Sequence, residues 1–252
     1  MSFAVAAESY DRYIGRYSRP LAPKFLEFAG VASGPVLEVG CGPGGLTAVL
    51  AARFGAASVA AVDPSEPFVA ACRERVPGAD VRRAGGEALP FGDGAFRAAL
   101  SQLVLSFVRE PDRLTAELAR VVQPGGVVAA CTFEADGFAL ARTFWDAALR
   151  FDASAPDDAA IPFRRETELR GLFDRAGFRE VQTGDIEVEA GYADFDDFWS
   201  PFAFGIGPAG GYLTAQSEER RAGLRDACFE RLGRPSGPFR LPARVIAIRA
   251  LV

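Results

Sequence analysis

Apolar residues are laid along the chain in two rhythms. Through the first two thirds, short unbroken apolar runs alternate with stretches in which apolar residues return every three or four positions. The first rhythm marks strands buried on both faces, and the second marks amphipathic helices. "PVLEVG" (35–40) predicts a first strand, and "GGLTAVLAARFG" predicts a helix closed by Gly55. "SVAAVD" is a second strand, after which Ser65 is placed to cap "EPFVAACRERV". "ADVRRA" reads as a third strand, and "FRAALSQLVLSF" holds a fourth. "PDRLTAELARVV" is a helix opened by Pro111 and stopped by "QPGG", and "GVVAACTF" is a fifth strand. Strands alternating with helices in this way predict an α/β fold, a parallel sheet covered on both faces.

The last third is less regular. "RETELRGLFDRAGF" predicts an amphipathic helix ended by Gly177, "REVQTGDIEVEA" a strand, and "ARVIAIRALV" a closing strand that pairs with it. Between the last two runs an insertion from Gly191 to Arg240, rich in Phe, Gly and Pro: "FDDFWSPFAFGIGPAGGY". It is too long for a hairpin loop and predicts a cap over the ligand end of the sheet. A helical lobe packed only on itself is the alternative.

Composition narrows the class. At 252 residues the chain holds one large domain, or a core with an added cap, and can bury a real core. With 49% hydrophobic residues and a mean hydropathy of +0.09, a soluble globular protein is expected. A net charge of −5 without a basic stripe argues against a nucleic-acid surface; Lys24 is the only lysine. The four cysteines are scattered and form no C-x-x-C pair, so they read as reduced cytoplasmic thiols. No apolar run approaches the ~18 residues of a membrane span. "MSFAVAAESYDR" lacks the pattern of a secretory leader. The chain has no histidine. That removes the commonest general base and metal ligand, excludes a Ser-His-Asp hydrolase, and leaves no metal site expected.

The candidate chemistry starts at "VLEVGCGPGG" (36–45). A strand, a tight glycine turn and a helix bring a ligand against bare backbone and aim a helix N-terminus at its negative group. Gly40, Gly42 and Gly45 fit G-x-G-x-x-G, the dinucleotide pattern of an NAD(P)-dependent oxidoreductase. Gly40, Gly42 and Gly44 equally fit E-x-G-x-G-x-G, with Glu38 ahead of the first glycine. Asp63 closes the second strand, where a carboxylate can accept ribose hydroxyls.

Flanking residues carry a resemblance. "VLEVGCGPGG", "AAVDPSEPFVAACRER", "GGEALPFGDGAFRAALSQLVLSFV" and "RVVQPGGVVAACTF" resemble, in order and spacing from Pro35 to Phe133, the motifs of class I S-adenosylmethionine-dependent methyltransferases. "YDRYIGRYSRPLAPKFLEFAG" is similar to the lid helix of a bacterial small-molecule branch, and "FWSPFAFGIGPAGGY" to that branch's C-terminal segment. The resemblance implies a Rossmann-like, doubly wound, mostly parallel sheet of about seven strands with an antiparallel last strand and helical cap elements. It divides the chain into lid helices (1–34), a cofactor-binding core (35–190), a cap insertion (191–240) and a last core strand (241–252). It implies S-adenosyl-L-methionine as cofactor, S-adenosyl-L-homocysteine as product and no metal. The reaction is methyl transfer to a small-molecule oxygen, nitrogen or carbon, with no nucleic-acid or membrane partner.

By the same resemblance, Gly40, Cys41, Gly42 and Gly44 admit the cofactor's amino-acid tail. Glu38 steadies the loop and faces the ammonium, Asp63 holds the ribose, and Pro64 packs on the adenine. Gly85 stands where the family often has an acid, so adenine recognition falls to Gly86 and Glu87; Arg97 also departs, from an Asp. Ser101, Gln102 and Leu103 line the methionine moiety, and Ser106 replaces a frequent histidine. Tyr10, Tyr13 and Tyr17 either close over the ligand, Tyr17 on the cofactor, or pack on the core.

A methyl sulfonium is already electrophilic, so positioning is the main task, and acceptors that need no base are favoured. Glu134 and Asp136, past the fifth strand, are either carboxylates at the mouth or solvated loop acids. Candidate acceptor-pocket residues are Tyr13, Ser106, Phe133, Trp145, Trp199 and Phe202. The cap's aromatics, with Phe151, Phe195, Phe198 and Phe204, imply an apolar or aromatic acceptor, or else form the cap's own core. Besides the oxidoreductase, a non-catalytic module that binds the cofactor and a protein methyltransferase remain open.

Overall fold

The computed structural model describes residues 7–157 and 160–252. Residues 1–6, on which the reading of an N-terminus without a leader partly rests, lie outside the described residues.

One sheet organises the chain. Its strands are β1 (Val36–Val39), β2 (Val59–Asp63), β3 (Asp80–Arg83), β4 (Phe96–Gln102), β5 (Val122–Phe138), β6 (Arg179–Tyr192) and β7 (Phe239–Leu251). They lie in the order β3-β2-β1-β4-β5-β7-β6. From β3 to β5 every pairing is parallel, and β7 runs antiparallel to both β5 and β6. β1 and β2 are buried at every residue, as expected for central strands covered on both faces. Their only charged residues, Glu38 and Asp63, are therefore buried acids.

Helices cover both faces. On one side lie α2 (Gly15–Ala29), α3 (Gly45–Phe54) and α6 (Ala139–Phe151), sharing a core with Leu21, Phe25, Leu50 and Phe144. On the other lie α5 (Pro111–Val121) and α7 (Glu166–Arg175), which bury Leu114, Leu118, Leu169 and Phe173. The short α1 (Ala7–Tyr13) precedes α2, and α4 (Glu66–Arg75) follows β2. The Rossmann-like α/β expectation from the sequence describes this arrangement.

Two local expectations are corrected. Ser65 does stand at the N-cap of α4, but its hydroxyl makes no cap bond and is buried without a partner. The Asp63 carboxylate folds back onto the Ser65 backbone N–H at 2.9 Å instead, an Asx turn that takes over the local hydrogen bonding. "QPGG" does not separate α5 from the fifth strand; β5 begins at Val122, and the pairing register with β4 shifts between Phe96 and Ala98.

Three helices fill the stretch between β6 and β7: α8 (Phe195–Ala203), α9 (Gly207–Thr214) and α10 (Glu218–Arg231). They pack through rings. Phe202 stacks on Phe144 of α6 with centroids 4.9 Å apart, and Phe195 meets Phe229 edge-on at 5.0 Å. Tyr13 of α1 reaches Phe202 at 5.8 Å, which links the N-terminal helices to this layer.

Candidate active site

Reading outward from β1 and β4, strand order runs in opposite directions, and the crevice of an open α/β sheet forms at that switch. The glycine turn leaves β1 there, and Gln102–Leu103 leaves β4 beside it. Gly40 and Cys41 donate their backbone N–H groups to the Val62 carbonyl at 2.8 and 3.0 Å, which ties the turn to the end of β2.

The turn decides between the two glycine patterns. Gly40, Gly42 and Gly44 all have positive φ, whereas Gly45 is the first residue of α3 and lies outside that region. A Cβ on Gly40 would stand 2.3 Å from Val104 Cγ2, and one on Gly44 would stand 2.9 Å from Cys72 Sγ. The three structurally required glycines are those of E-x-G-x-G-x-G. At Gly42 the position of a Cβ meets only the Tyr10 ring, at 3.9 Å, so that face of the backbone is open to whatever displaces Tyr10.

Two buried acids flank the turn. Asp63 Oδ2 accepts from the Gly42 N–H at 2.9 Å while Oδ1 accepts from Ser65, so the acid shapes the loop. Each oxygen keeps a second lone pair for another donor. Burial pushes the Asp63 carboxyl up, and those two N–H bonds oppose it. Glu38 accepts the Thr47 hydroxyl at 2.5 Å, and burial holds its carboxyl well above the ordinary range, the Thr47 bonds only partly offsetting that. A carboxyl pushed up by burial is one whose ionised form a neighbouring cation would favour.

On the β4 side, Gln102 Nε2 donates to the Ser18 carbonyl at 3.0 Å, and Gln102 Oε1 is buried with no partner. Leu103 sits at φ 62, a strained conformation for a non-glycine residue, held by its N–H bond to the Cys131 carbonyl. Ser106, in the short turn after β4, and Thr132 of β5 share a hydrogen bond of 3.0 Å. Farther along, a Cβ on Gly86 would stand 2.5 Å from Leu114 and 3.0 Å from Val39, so the 85–87 loop lies tight on the sheet end. Pro64 is exposed and Glu87 half-buried.

The aromatic candidates divide into two groups. Tyr13, Trp145, Trp199 and Phe202 are buried together around Phe144, forming the interior of the α6–α8–α9 layer. Phe133 stacks on Phe138 at 4.0 Å, with Tyr17 edge-on to both. The Tyr17 hydroxyl is bonded to Tyr192 at 3.1 Å. Glu134 lies beside Arg244 near the register shift between β5 and β7, and Asp136 is exposed there.

Several contributors carry no local signal in the sequence. Thr47 becomes the partner of Glu38 because α3 starts immediately beneath it. Asp11, Arg19 and Arg75 meet at the crevice from three different helices. Only the fold brings them together.

The fold and this site define an α/β protein with a ligand crevice at the switch point of its sheet. The chain matches a methyltransferase-domain family profile over residues 37–130. It is 30% identical over 195 residues to the malonyl-[acyl-carrier protein] O-methyltransferase of Geobacter sulfurreducens, covering 75% of this chain and 73% of that protein. Over 120 residues it is 32% identical to a trans-aconitate 2-methyltransferase of Variovorax paradoxus, covering 48% of this chain and 46% of that one. Phosphoethanolamine N-methyltransferase 2 of Haemonchus contortus, solved with S-adenosylhomocysteine, shares the fold with a TM-score of 0.61. That match is 16% identical and covers 99% of this chain and 58% of the other. The chain belongs to the class I S-adenosylmethionine-dependent methyltransferases. It is an enzyme of methyl transfer with S-adenosylmethionine as cofactor, and the oxidoreductase reading of its glycines falls away. The residues fit that group: a buried orphan acceptor at Gln102, a bare approach at Gly42, and buried acids for a cationic ligand. Among the described residues no cluster suited to a metal ion is present, and no helix is long and apolar enough to cross a membrane.

Proposed function

We propose that the acceptor is a carboxylate of a small organic acid, free or carried as a thioester, and that the product is its methyl ester. The observation that carries this reading is the set of groups around the end of β4, from β4 itself, the turn after it and the neighbouring part of β5. Ser101, Gln102, Ser106 and Thr132 are buried there, and none is a base. A carboxylate is ionised at neutral pH and presents its lone pair with no proton to remove. An alkyl hydroxyl would need a general base. The two curated relatives point the same way. A malonyl thioester offers one nucleophilic oxygen group, its free carboxylate, and aconitate is a tricarboxylic acid.

When bound, S-adenosylmethionine supplies a methyl group on a positively charged sulfur. The chain's own residues bind and orient. Gly40, Cys41, Gly42 and Gly44 give a turn without side chains in the way, and the α3 N-terminus favours a carboxylate. Glu38 and Gln102 Oε1 are acceptors for an ammonium, and the spare lone pairs of Asp63 are acceptors for ribose hydroxyls. Pro64, Gly86 and Glu87 border the adenine end, and Leu103 borders the methionine moiety. Holding the acceptor in line with the methyl carbon and excluding water supplies up to ~7–11 kcal/mol in ideal intramolecular cases, enough to serve as the main source of rate.

The test is a panel of acceptors with S-adenosylmethionine: a malonyl thioester, trans-aconitate, a primary amine, a phenol and an alcohol. Mass spectrometry should find a methyl ester that alkali hydrolyses, formed with an acid of the panel. Methylation of the amine or phenol, with the acids inert, would overturn the reading.

A further inference from the structure

The crevice is filled from within. Its cavity measures about 10 Å³, far below the ~300–1,000 Å³ of a small-molecule pocket. α1 closes it in two ways. Tyr10 lays its ring over Gly42 and packs edge-on against Phe68, with centroids 5.3 Å apart. Asp11 forms ion pairs with Arg19 of α2 and with Arg75 of α4, the latter at 2.9 Å. Arg75 also donates to the Pro43 carbonyl inside the turn at 2.7 Å.

A single carboxylate thus sits between two guanidiniums, next to the start of α3. Arg19 Cγ is 3.9 Å from where a Cβ on Gly45 would stand. Guanidinium pairs and helix N-termini both select carboxylates. The cofactor brings one carboxylate to this end of the crevice, so two carboxylates compete for one seat. Room for Asp11 is built into the backbone: a Cβ at Gly15 would stand 2.8 Å from Asp11 Oδ1. Gly15 also opens α2, whose Tyr17, Leu21 and Phe25 are fully buried, whereas Asp11 of α1 keeps a fifth of its side chain exposed.

We infer that Asp11 is a built-in competitor of the cofactor: Arg19 and Arg75 hold Asp11 in the free chain and pass to the cofactor's carboxylate as α1 withdraws. The inference rests on S-adenosylmethionine being the cofactor. The side chains are 54% exposed at Arg19, 31% at Arg75 and 20% at Asp11. Ion pairs this exposed are individually weak, so the exchange is readily reversed.

Calorimetry with two probes tests it. S-adenosylhomocysteine carries the amino-acid tail, and 5′-methylthioadenosine is a nucleoside thioether without it. Asp11→Asn should bind S-adenosylhomocysteine about threefold or more tightly than wild type, since it no longer competes as an anion. Asp11→Ser should do the same by a different side chain, which guards against a folding defect in either. Arg19→Met with Arg75→Met should weaken S-adenosylhomocysteine about tenfold or more while leaving 5′-methylthioadenosine unchanged or tighter. Unaltered or weaker binding in both Asp11 variants overturns the competition. An arginine variant that treats the two probes alike overturns the shared seat. If wild type binds neither S-adenosylhomocysteine nor S-adenosylmethionine, the cofactor assignment itself fails, a different result from either.

Discussion

Gly44 and Gly45 are neighbours with different duties. Gly44 has φ +89 and no space for a Cβ beside Cys72, while a Cβ on Gly45 would meet only Arg19 at ordinary contact distance. Gly44→Ala should therefore destabilise the chain by about 1–3 kcal/mol, from left-handed strain plus a displaced Cys72. Gly45→Ala should change stability by no more than about 0.5 kcal/mol, because a half-buried first-turn position with only an ordinary contact at 3.9 Å accepts a methyl group without strain. Urea unfolding of the two variants measures both; equal losses would mean the turn does not distinguish them. Glu38 gives a second prediction at this scale. Its folded carboxyl lies above the ordinary 4.5, so the folded chain keeps a proton that the unfolded chain has released. The stability this proton confers is present at low pH and is lost as pH rises from 4.5 through the raised folded value. A cationic ligand favours the ionised form. Across that same window S-adenosylmethionine should bind more tightly as pH rises, with net proton release. Calorimetry in buffers of different ionisation enthalpy reads the proton, and Glu38→Gln should remove the slope.

At the scale of elements, α2 is anchored more firmly than the helix before it. Tyr17 is completely buried, meets Phe133 and Phe138 edge-on, and shares a hydroxyl–hydroxyl bond with Tyr192 of β6. Desolvation pushes both tyrosine hydroxyls up, Tyr192 to about 12, so the pair is neutral at any working pH. Tyr17→Phe should cost about 1 kcal/mol in thermal unfolding through the lost bond, and should leave the Kd for S-adenosylhomocysteine within about twofold. A large change in Kd would place that hydroxyl on the cofactor. The helices between β6 and β7 show the same inward use of aromatics. α8 buries Phe195, Phe198, Trp199 and Phe202 against α6 and α10, while Phe204, just past its end, and Phe151 at the end of α6 are exposed.

For the molecule as a whole, ligand and fold are coupled at the switch point, because β1, β2 and β4 all end in residues that border the crevice. A ligand bound only by the folded chain should stabilise it by about 2.7 kcal/mol at a hundred times its Kd. Thermal scans with S-adenosylhomocysteine should show Tm rising with the logarithm of its concentration, and no rise with NADH. Much of this architecture is legible in the sequence. "VLEVG", "SVAAVD" and "GVVAACTF" are continuous apolar runs, and such runs have few alternatives to a central strand. The acids at their tips declare themselves because a charge closing an apolar run needs a reason. The insertion between the last two strands is visible by length and aromatic content. Its packing is not, since a Phe facing a pocket and a Phe facing another Phe read alike.

By itself, then, the sequence determined the alternation of strands and helices, the bare turn after β1, and Glu38 and Asp63 beside it. Each is written in contiguous residues, and backbone sterics and apolar periodicity act over that range. Only the tertiary structure decided that Gly44 rather than Gly45 completes the turn, that Thr47 partners Glu38, and that the rings of the helices between β6 and β7 bury one another. It alone brought Asp11, Arg19 and Arg75 into one cluster over the crevice. Those outcomes depend on which helix lands beside which strand end, and that is set by the packing of the whole sheet.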